Sequence, residues 1–286
     1  MNQLTLYTNA VDFLAQTQAL FEQDEVSNGL MLGVCLRMKE HPERVPQGLF
    51  LATVHEQDKL IASAMMTPPH NLVVQSNSDE PAAAFTLIAQ RLREWAFQPP
   101  GVNGRKEASG SFAEIWQGLT GQRYHAAVQL RVFKLSQVLH GLATPGNMRL
   151  ATMNDLMRVM QWQEEFEHEA LPHAAGHTDP GVVEWTIREG NRFLWEIEGK
   201  PVSMAGKTRP TARGCTVGPV YTPPQFRGKG YATGLVAHLS QQLLDSGFQF
   251  TTLFTDLANP TSNSIYQKIG YRPVCDFTEN IFERAA

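Results

Sequence analysis

The chain has 286 residues, 42% of them hydrophobic, which is room for one large or two medium domains with real cores. A formal net charge of −4 and a pI near 6.1 argue against a general attraction to nucleic acid. Three scattered cysteines (Cys35, Cys215, Cys275) form no disulfide framework or C-x-x-C pair, no apolar run approaches a membrane span, and the opening MNQLTLYTNAVDF lacks a basic stretch followed by an apolar one, so the expectation is a soluble, cytoplasmic protein.

In chain order, LTLYT reads as a strand, followed by two helices and a hairpin over GLFLATVHEQDKLIASAMM. NLVVQ is a strand, AAAFTLIAQRLREWA a helix, and GVNG a short segment before another helix and the long strand HAAVQLRVFKL. The stretch HGLATPGNM, residues 140–148, is the least structured near the middle and separates halves of similar rhythm, so a domain boundary is placed there, between 1–139 and 147–286.

NMRLAT is again a strand, and Thr152 with Asp155 spells a capping box for a helix carrying Leu156, Val159, Met160 and Gln163, which ends before Pro172. A second helix starts near Asp179-Pro180, and RFLWEIEGKPVSMAGK is a hairpin turning at Gly199-Lys200. After the strand CTVGPVYT comes a glycine turn and a helix whose Ala232, Leu235, Val236, Leu239 and Leu243 share one face, closed by Gly247. FQFTTLFTD is a strand, NPTSNSIYQKIGY a helix with Asn259 as N-cap, Pro260 at N1 and Gly270 at its end, and RPVCDFTENIFE is extended. IWQGLTGQR at 115–123 echoes IYQKIGYR at 265–272 with one inserted residue, which points to an internal duplication.

The turn PQFRGKGYATG, residues 224–234, sits between a strand and a helix, where glycines let consecutive N–H groups converge on one spot at a helix N-terminus. A Walker loop needs Ser or Thr after the lysine, and Tyr231 stands near that place instead. A dinucleotide fold needs further βαβ units and an acid about 20 residues on, and Asp245 and Asp256 straddle that position. The spacing Gln225-x-x-Gly228-x-Gly230, with Arg227 and Lys229 beside it, reads as a cup for a pyrophosphate.

Q-x-x-G-x-G between a strand and a helix, then N-P-x-S-x-x-I-Y-x-x-x-G-Y after the next strand, resembles the GNAT superfamily of N-acetyltransferases over about residues 147–286. The resemblance implies an α/β (α+β) fold: two tandem GNAT-like domains, each a mixed, splayed, mostly antiparallel sheet flanked by helices, the first degenerate. It implies acetyl-CoA lying between the strands 215–222 and 250–256, and acetyl transfer to a small-molecule or peptide amine by direct attack in a ternary complex. The backbone amides of Arg227, Gly228, Lys229, Gly230, Tyr231 and Ala232 would bind the pyrophosphate, with Gln225 opening the motif. Val220 and Tyr221 would pair with the pantetheine arm, and Asn259 and Ser262 would contact it. Tyr266 would protonate the leaving thiolate.

Attack by an amine also needs a base, and the strand 214–222 carries no Asp or Glu. Candidates are Glu164, Glu165, Glu167, His168, Glu169 and Glu196, or a relay of waters. His168, His173 and His177 lack the H-E-x-x-H spacing of a zinc protease, and no metal is expected. In the first half the matching turn QSNSDEPAAA has no glycine and carries Asp79 and Glu80, which would repel a phosphate, and Trp116 takes the place of Tyr266. The rival to an enzyme is a protein that binds acetyl-CoA as a sensor without turnover.

Overall fold

The computed structural model describes residues 2–139, 144–170 and 178–283. One succession of elements occurs twice. The first is β1 (Asn2–Tyr7), α1 (Ala10–Phe21), α2 (Glu25–Glu40), β2 (Phe50–Glu56), β3 (Lys59–Met66), β4 (Leu72–Ser76), α3 (Ala82–Glu94), β5 (Gly101–Arg105), α4 (Lys106–Thr120) and β6 (Tyr124–Leu135). The second is β7 (Asn147–Leu150), α5 (Leu156–Ala170), α6 (Pro180–Arg188), β8 (Arg192–Ile197), β9 (Lys200–Thr208), β10 (Gly214–Tyr221), α7 (Tyr231–Asp245), β11 (Phe250–Asp256), α8 (Pro260–Ile269) and β12 (Arg272–Phe282). The duplication heard faintly in the sequence echo is complete at the level of elements.

The compact units are Met1–Val132 with Val274–Ala286, and Phe133–Pro273. Contacts thus put the chain's last strand with the first unit, whereas the linear division at 139 and 147 groups it with the second half. In the first unit the strands run β1-β2-β3-β4-β5-β12-β6. β4 and β5 are parallel, while β1–β2, β2–β3, β3–β4 and β5–β12 are antiparallel. Successive residues of a strand face opposite sides, so each sheet face gathers its own helices. Phe85, Ile88, Phe112 and Trp116 of α3 and α4 pack on Val54, Leu72 and Val102, while Phe13, Phe21, Met31 and Leu32 of α1 and α2 pack on Leu51 and Met65.

The second unit has the order β11-β10-β9-β8-β7, parallel at β10–β11 and antiparallel elsewhere. Leu235, Val236, Leu239 and Leu243, the face read from the sequence of α7, are buried with Phe193, Trp195 and Val217. Leu194, Met204 and Tyr221 face the other way and meet Val159, Trp162, Val183 and Ile187 of α5 and α6. The β8–β9 hairpin turns one residue earlier than the sequence pattern suggests, with Glu198 and Gly199 both at positive φ (49° and 75°).

The capping box at Thr152 and Asp155 is present and is tied to the sheet. Arg149 of β7 donates two hydrogen bonds to Asp155 (2.7 and 2.9 Å) and one to Glu196 of β8 (2.7 Å). The Arg149 guanidinium, helped by the Thr152 N–H, holds the Asp155 carboxyl down to about 2 from its usual 3.8. A depressed acid stabilises the fold fully above its unfolded value, and that contribution disappears as pH falls through about 2. The shift corresponds to about 2 kcal/mol. Urea unfolding of wild type and Asp155→Asn should therefore differ by about that much at pH 6 and converge near pH 2. A gap of constant size across that range would remove the ionised carboxylate as its source.

Candidate active site

β10 and β11 pair only at Gly214–Phe250, Cys215–Thr251 and Thr216–Thr252, where the Thr216 and Thr252 hydroxyls meet at 3.0 Å. Beyond that point β10 continues to Tyr221 and β11 to Asp256 with no further pairing between them. On its other side β10 stays bonded to β9, with a bulge between Val217 and Val220. The two parallel strands therefore splay into a cleft with free backbone groups on its walls. The Tyr221 carbonyl accepts from Ser203 Oγ at 3.0 Å and so faces β9. Of the two residues expected to present backbone to the cleft, Tyr221 has its carbonyl engaged by Ser203.

The glycine turn closes one end of this cleft. Gly228 and Gly230 both sit at positive φ (76° and 80°), and Gly230 is the N-cap of α7 with no side chain capping it. The Arg227 N–H is taken by the Pro224 carbonyl at 3.2 Å, so Arg227 does not join the donor run. From Gly228 to Thr233 no backbone N–H has an acceptor among the described residues, and the first helical bond is Gly234 N–H to Gly230 C=O. These donors lie at the positive end of a 15-residue helix, which favours an anion. Gly234 serves packing instead: a Cβ there would lie 2.9 Å from Thr144 Cβ and 3.0 Å from Trp195 Cζ2. The Lys229 side chain is exposed, and Gln225 lines a shallow groove with Phe226, Trp162, Arg158 and Lys200.

α8 starts where β11 ends. Asn259 caps it, Oδ1 accepting from Ser262 N–H at 3.0 Å, and its Nδ2 has no partner among the described residues. Asn263 Nδ2 donates to the carbonyls of Asp256 (3.0 Å) and Asn259 (2.9 Å), which pins the side chain and leaves Oδ1 buried without a donor. Sequence reasoning passes over Asn263; its spacing of three before Tyr266, one turn on the same helix face, is the signal that could have found it.

Tyr266 is 8% exposed and packs edge-on against Tyr271 at 6.0 Å. The two tyrosines differ in their hydroxyls. Tyr271 shares its hydroxyl with Ser240 and Thr251, each at 2.8 Å, as a satisfied core residue. The Tyr266 hydroxyl has no hydrogen-bond partner among the described residues. Burial, with a smaller contribution from Tyr271, pushes the Tyr266 phenol above its usual 10, so it keeps its proton at neutral pH.

The candidate carboxylates separate by partner. Glu196 is held by Arg149. Glu167 accepts from Gln163 Nε2 at 2.8 Å, and Gln163 Oε1 in turn accepts from the buried Arg192 at 3.0 Å. Glu164 and His168 are exposed. Glu169 and Glu165 are the two that reach β10. Tyr221 donates to Glu169 at 3.4 Å, and Arg227 grips the same carboxylate through 2.8 and 2.7 Å bonds. Burial first, then hydrogen bonding to Glu165 and the charge of Glu169, raise the Tyr221 phenol. Among the described residues no three His, Cys, Asp or Glu side chains gather as a metal group, and His173 and His177 lie outside those residues.

The corresponding turn of the first unit is stitched by its own side chains. Ser76 Oγ takes the Ser78 N–H at 3.0 Å, and Ser78 Oγ takes the Glu80 N–H at 3.2 Å. Trp116, the counterpart of Tyr266, donates to Gln122 at 2.9 Å and stacks on Phe112.

No helix among the described residues is long and apolar enough to cross a membrane. No curated protein matches the chain significantly. The chain superposes on a GCN5-related N-acetyltransferase from Sphaerobacter thermophilus with a TM-score of 0.67 at 14% identity, over 100% of this chain and 96% of that one. An acetyltransferase of the GNAT family from Colwellia psychrerythraea gives 0.58 at 12%, over 99% and 100%. A tandem GNAT protein from the clavulanic acid biosynthesis pathway gives 0.58 at 10%, over 100% of both chains. At such identities the likeness is one of fold. The family model of the acetyltransferase (GNAT) family matches residues 156–271, which contain the splay, the glycine turn and α8. Residues 156–271 are a domain of the GNAT acetyltransferase family, within a chain whose two units have the tandem GNAT fold.

Proposed function

We propose that the second unit transfers an acetyl group from acetyl-CoA to an amine, both held together in the splay between β10 and β11. The observation that carries this reading is the run of open amides from Gly228 to Thr233 at the start of α7, next to strands that have let go of one another. A diphosphate satisfies such a run of donors, and Lys229 adds charge beside it. The Val220 carbonyl offers an acceptor to an amide group of a pantetheine arm. Asn259 Nδ2 and the orphaned Asn263 Oδ1 offer a donor and an acceptor farther along, with Ser262 on the same helix.

Bound acetyl-CoA supplies the activated thioester. Tyr266 then serves as the acid. Its hydroxyl is protonated and unpartnered, and it can give its proton to the leaving thiolate; the tyrosinate left behind is reprotonated by the proton that the attacking amine releases. The Val220 N–H can donate to the thioester oxygen as charge develops there. The first unit, with the Ser78 and Glu80 N–H groups of its turn taken by side chains, Asp79 and Glu80 beside it and Trp116 in place of the tyrosine, acts as a partner domain that does not hold the cofactor.

The test is thiol release from acetyl-CoA with a panel of small amines and peptide N-termini. The expected result is release above background that depends on an amine. Tight acetyl-CoA binding with no release for any amine would establish the rival, a sensor without turnover. That rival draws on the pairing of Glu167, Glu169 and Glu196 with other groups, which leaves none of these three carboxylates free to act as base.

A further inference from the structure

Arg227 immediately precedes the open amides, yet its guanidinium does not face them. Nε donates to the Thr222 carbonyl at 2.8 Å, Nη2 holds both oxygens of Glu169 at 2.8 and 2.7 Å, and the plane lies over the Tyr221 ring at 5.7 Å. Glu169 belongs to the last turn of α5, and its carboxylate also receives the Tyr221 hydroxyl. One ion pair thereby joins the turn at the start of α7 to the helix covering the opposite face of the same strand. Both partners are nearly half exposed, 46% for Arg227 and 47% for Glu169, so neither is locked by packing.

Resting on the proposed binding of a CoA diphosphate, we infer that the Arg227–Glu169 pair is a latch between the two substrate sites. A diphosphate on the turn presents a denser negative charge to the Arg227 guanidinium than one carboxylate does, and arginine meets phosphate oxygens with the same two-pronged geometry. Arg227 moves to the diphosphate, and Glu169, with the Tyr221 hydroxyl still beside it, loses its cation. An uncompensated carboxylate at the end of β10 then attracts the protonated amine of the acceptor. Glu169 is a positioning residue in this scheme: it holds the incoming cation where the cofactor is already in place, and in the absence of cofactor it is occupied by Arg227. The acceptor class it selects is a cationic amine.

The latch has a signature that simple charge repulsion lacks. Glu169→Gln removes the competitor for Arg227, so CoA should bind roughly two- to fivefold more tightly, the scale of a partly exposed ion pair. Loss of a nearby negative charge would tighten binding too, but it would do so whether or not residue 227 is arginine. Titration calorimetry with CoA, and separately with inorganic pyrophosphate, on wild type, Glu169→Gln, Arg227→Gln and the double variant separates the two. The expected result is a gain from Glu169→Gln in the wild-type background and none in the Arg227→Gln background, together with a raised amine KM in Glu169→Gln. An equal gain in both backgrounds, or no gain in either, overturns the latch while leaving the CoA site standing. Failure of the wild-type protein to bind CoA overturns the site and the latch together.

Discussion

Tyr266→Phe is expected to lower kcat by about 10²- to 10⁴-fold, the usual contribution of a positioned general acid, with acetyl-CoA affinity within a few-fold of wild type. The ring packs in the core against Tyr271, and phenylalanine keeps that packing. The lost hydroxyl has no partner within the described residues, so its removal strands no donor or acceptor and the variant should fold normally. The effect is therefore confined to the proton given to the thiolate. Because burial raises the phenol above its usual 10, the wild-type rate should show no alkaline loss from this group until the pH is beyond that value. Tyr271→Phe is the contrasting variant: it leaves Ser240 and Thr251 without their shared partner and should cost stability, not turnover. A Tyr266→Phe enzyme with undiminished kcat would end the acid assignment.

The second large effect is loss of cofactor binding in Gly230→Asp. Wild type held with acetyl-CoA at 100 times its Kd should gain about 2.7 kcal/mol and a corresponding rise in Tm. The variant should gain nothing. A carboxylate at the N-cap of α7 places negative charge among the open amides and can take one of them as its own cap. Folding should survive, since a Cβ at Gly230 meets nothing nearer than Thr144 Oγ1 at 3.6 Å. The positive φ of 80° costs about 1–2 kcal/mol for a residue with a side chain, and that cost appears with and without ligand. Thermal unfolding with and without acetyl-CoA therefore reads the two contributions separately. Protection that persists in Gly230→Asp would move the diphosphate away from this turn.

The pieces of this molecule that depend on neighbours along the chain are legible in the order of its residues. The buried face of α7, the caps at Thr152, Asp179 and Asn259, and the glycines of the turn all follow from helix spacing and from backbone angles that few residues tolerate. The repeat is audible only in one short echo, because two copies of a fold can diverge in every side chain while keeping the order of their elements. The candidate acid also comes from a local pattern, I-Y-x-x-x-G-Y. What separates its two tyrosines is the surroundings of their hydroxyls, set by Ser240 and Thr251 from elsewhere in the chain.

The rest is decided by pairing between distant segments. RPVCDFTENIFE reads as a strand, yet nothing local names its partner; it lies against β5, with Phe277 opposite Arg105 and Ile281 opposite Gly101, and so from Val274 on it belongs to the first unit. A strand leaves its backbone bonds to be met by whichever edge the fold brings to it. The same holds for the splay, which exists because β10 and β11 stop pairing after Thr216 and Thr252, and for the backbone of Tyr221, claimed by Ser203. Arg227 is the plainest case. Residue order alone puts a cation in a phosphate turn, but a long flexible side chain goes to the best partner within reach, and only the packing of α5 beside β10 makes that partner Glu169.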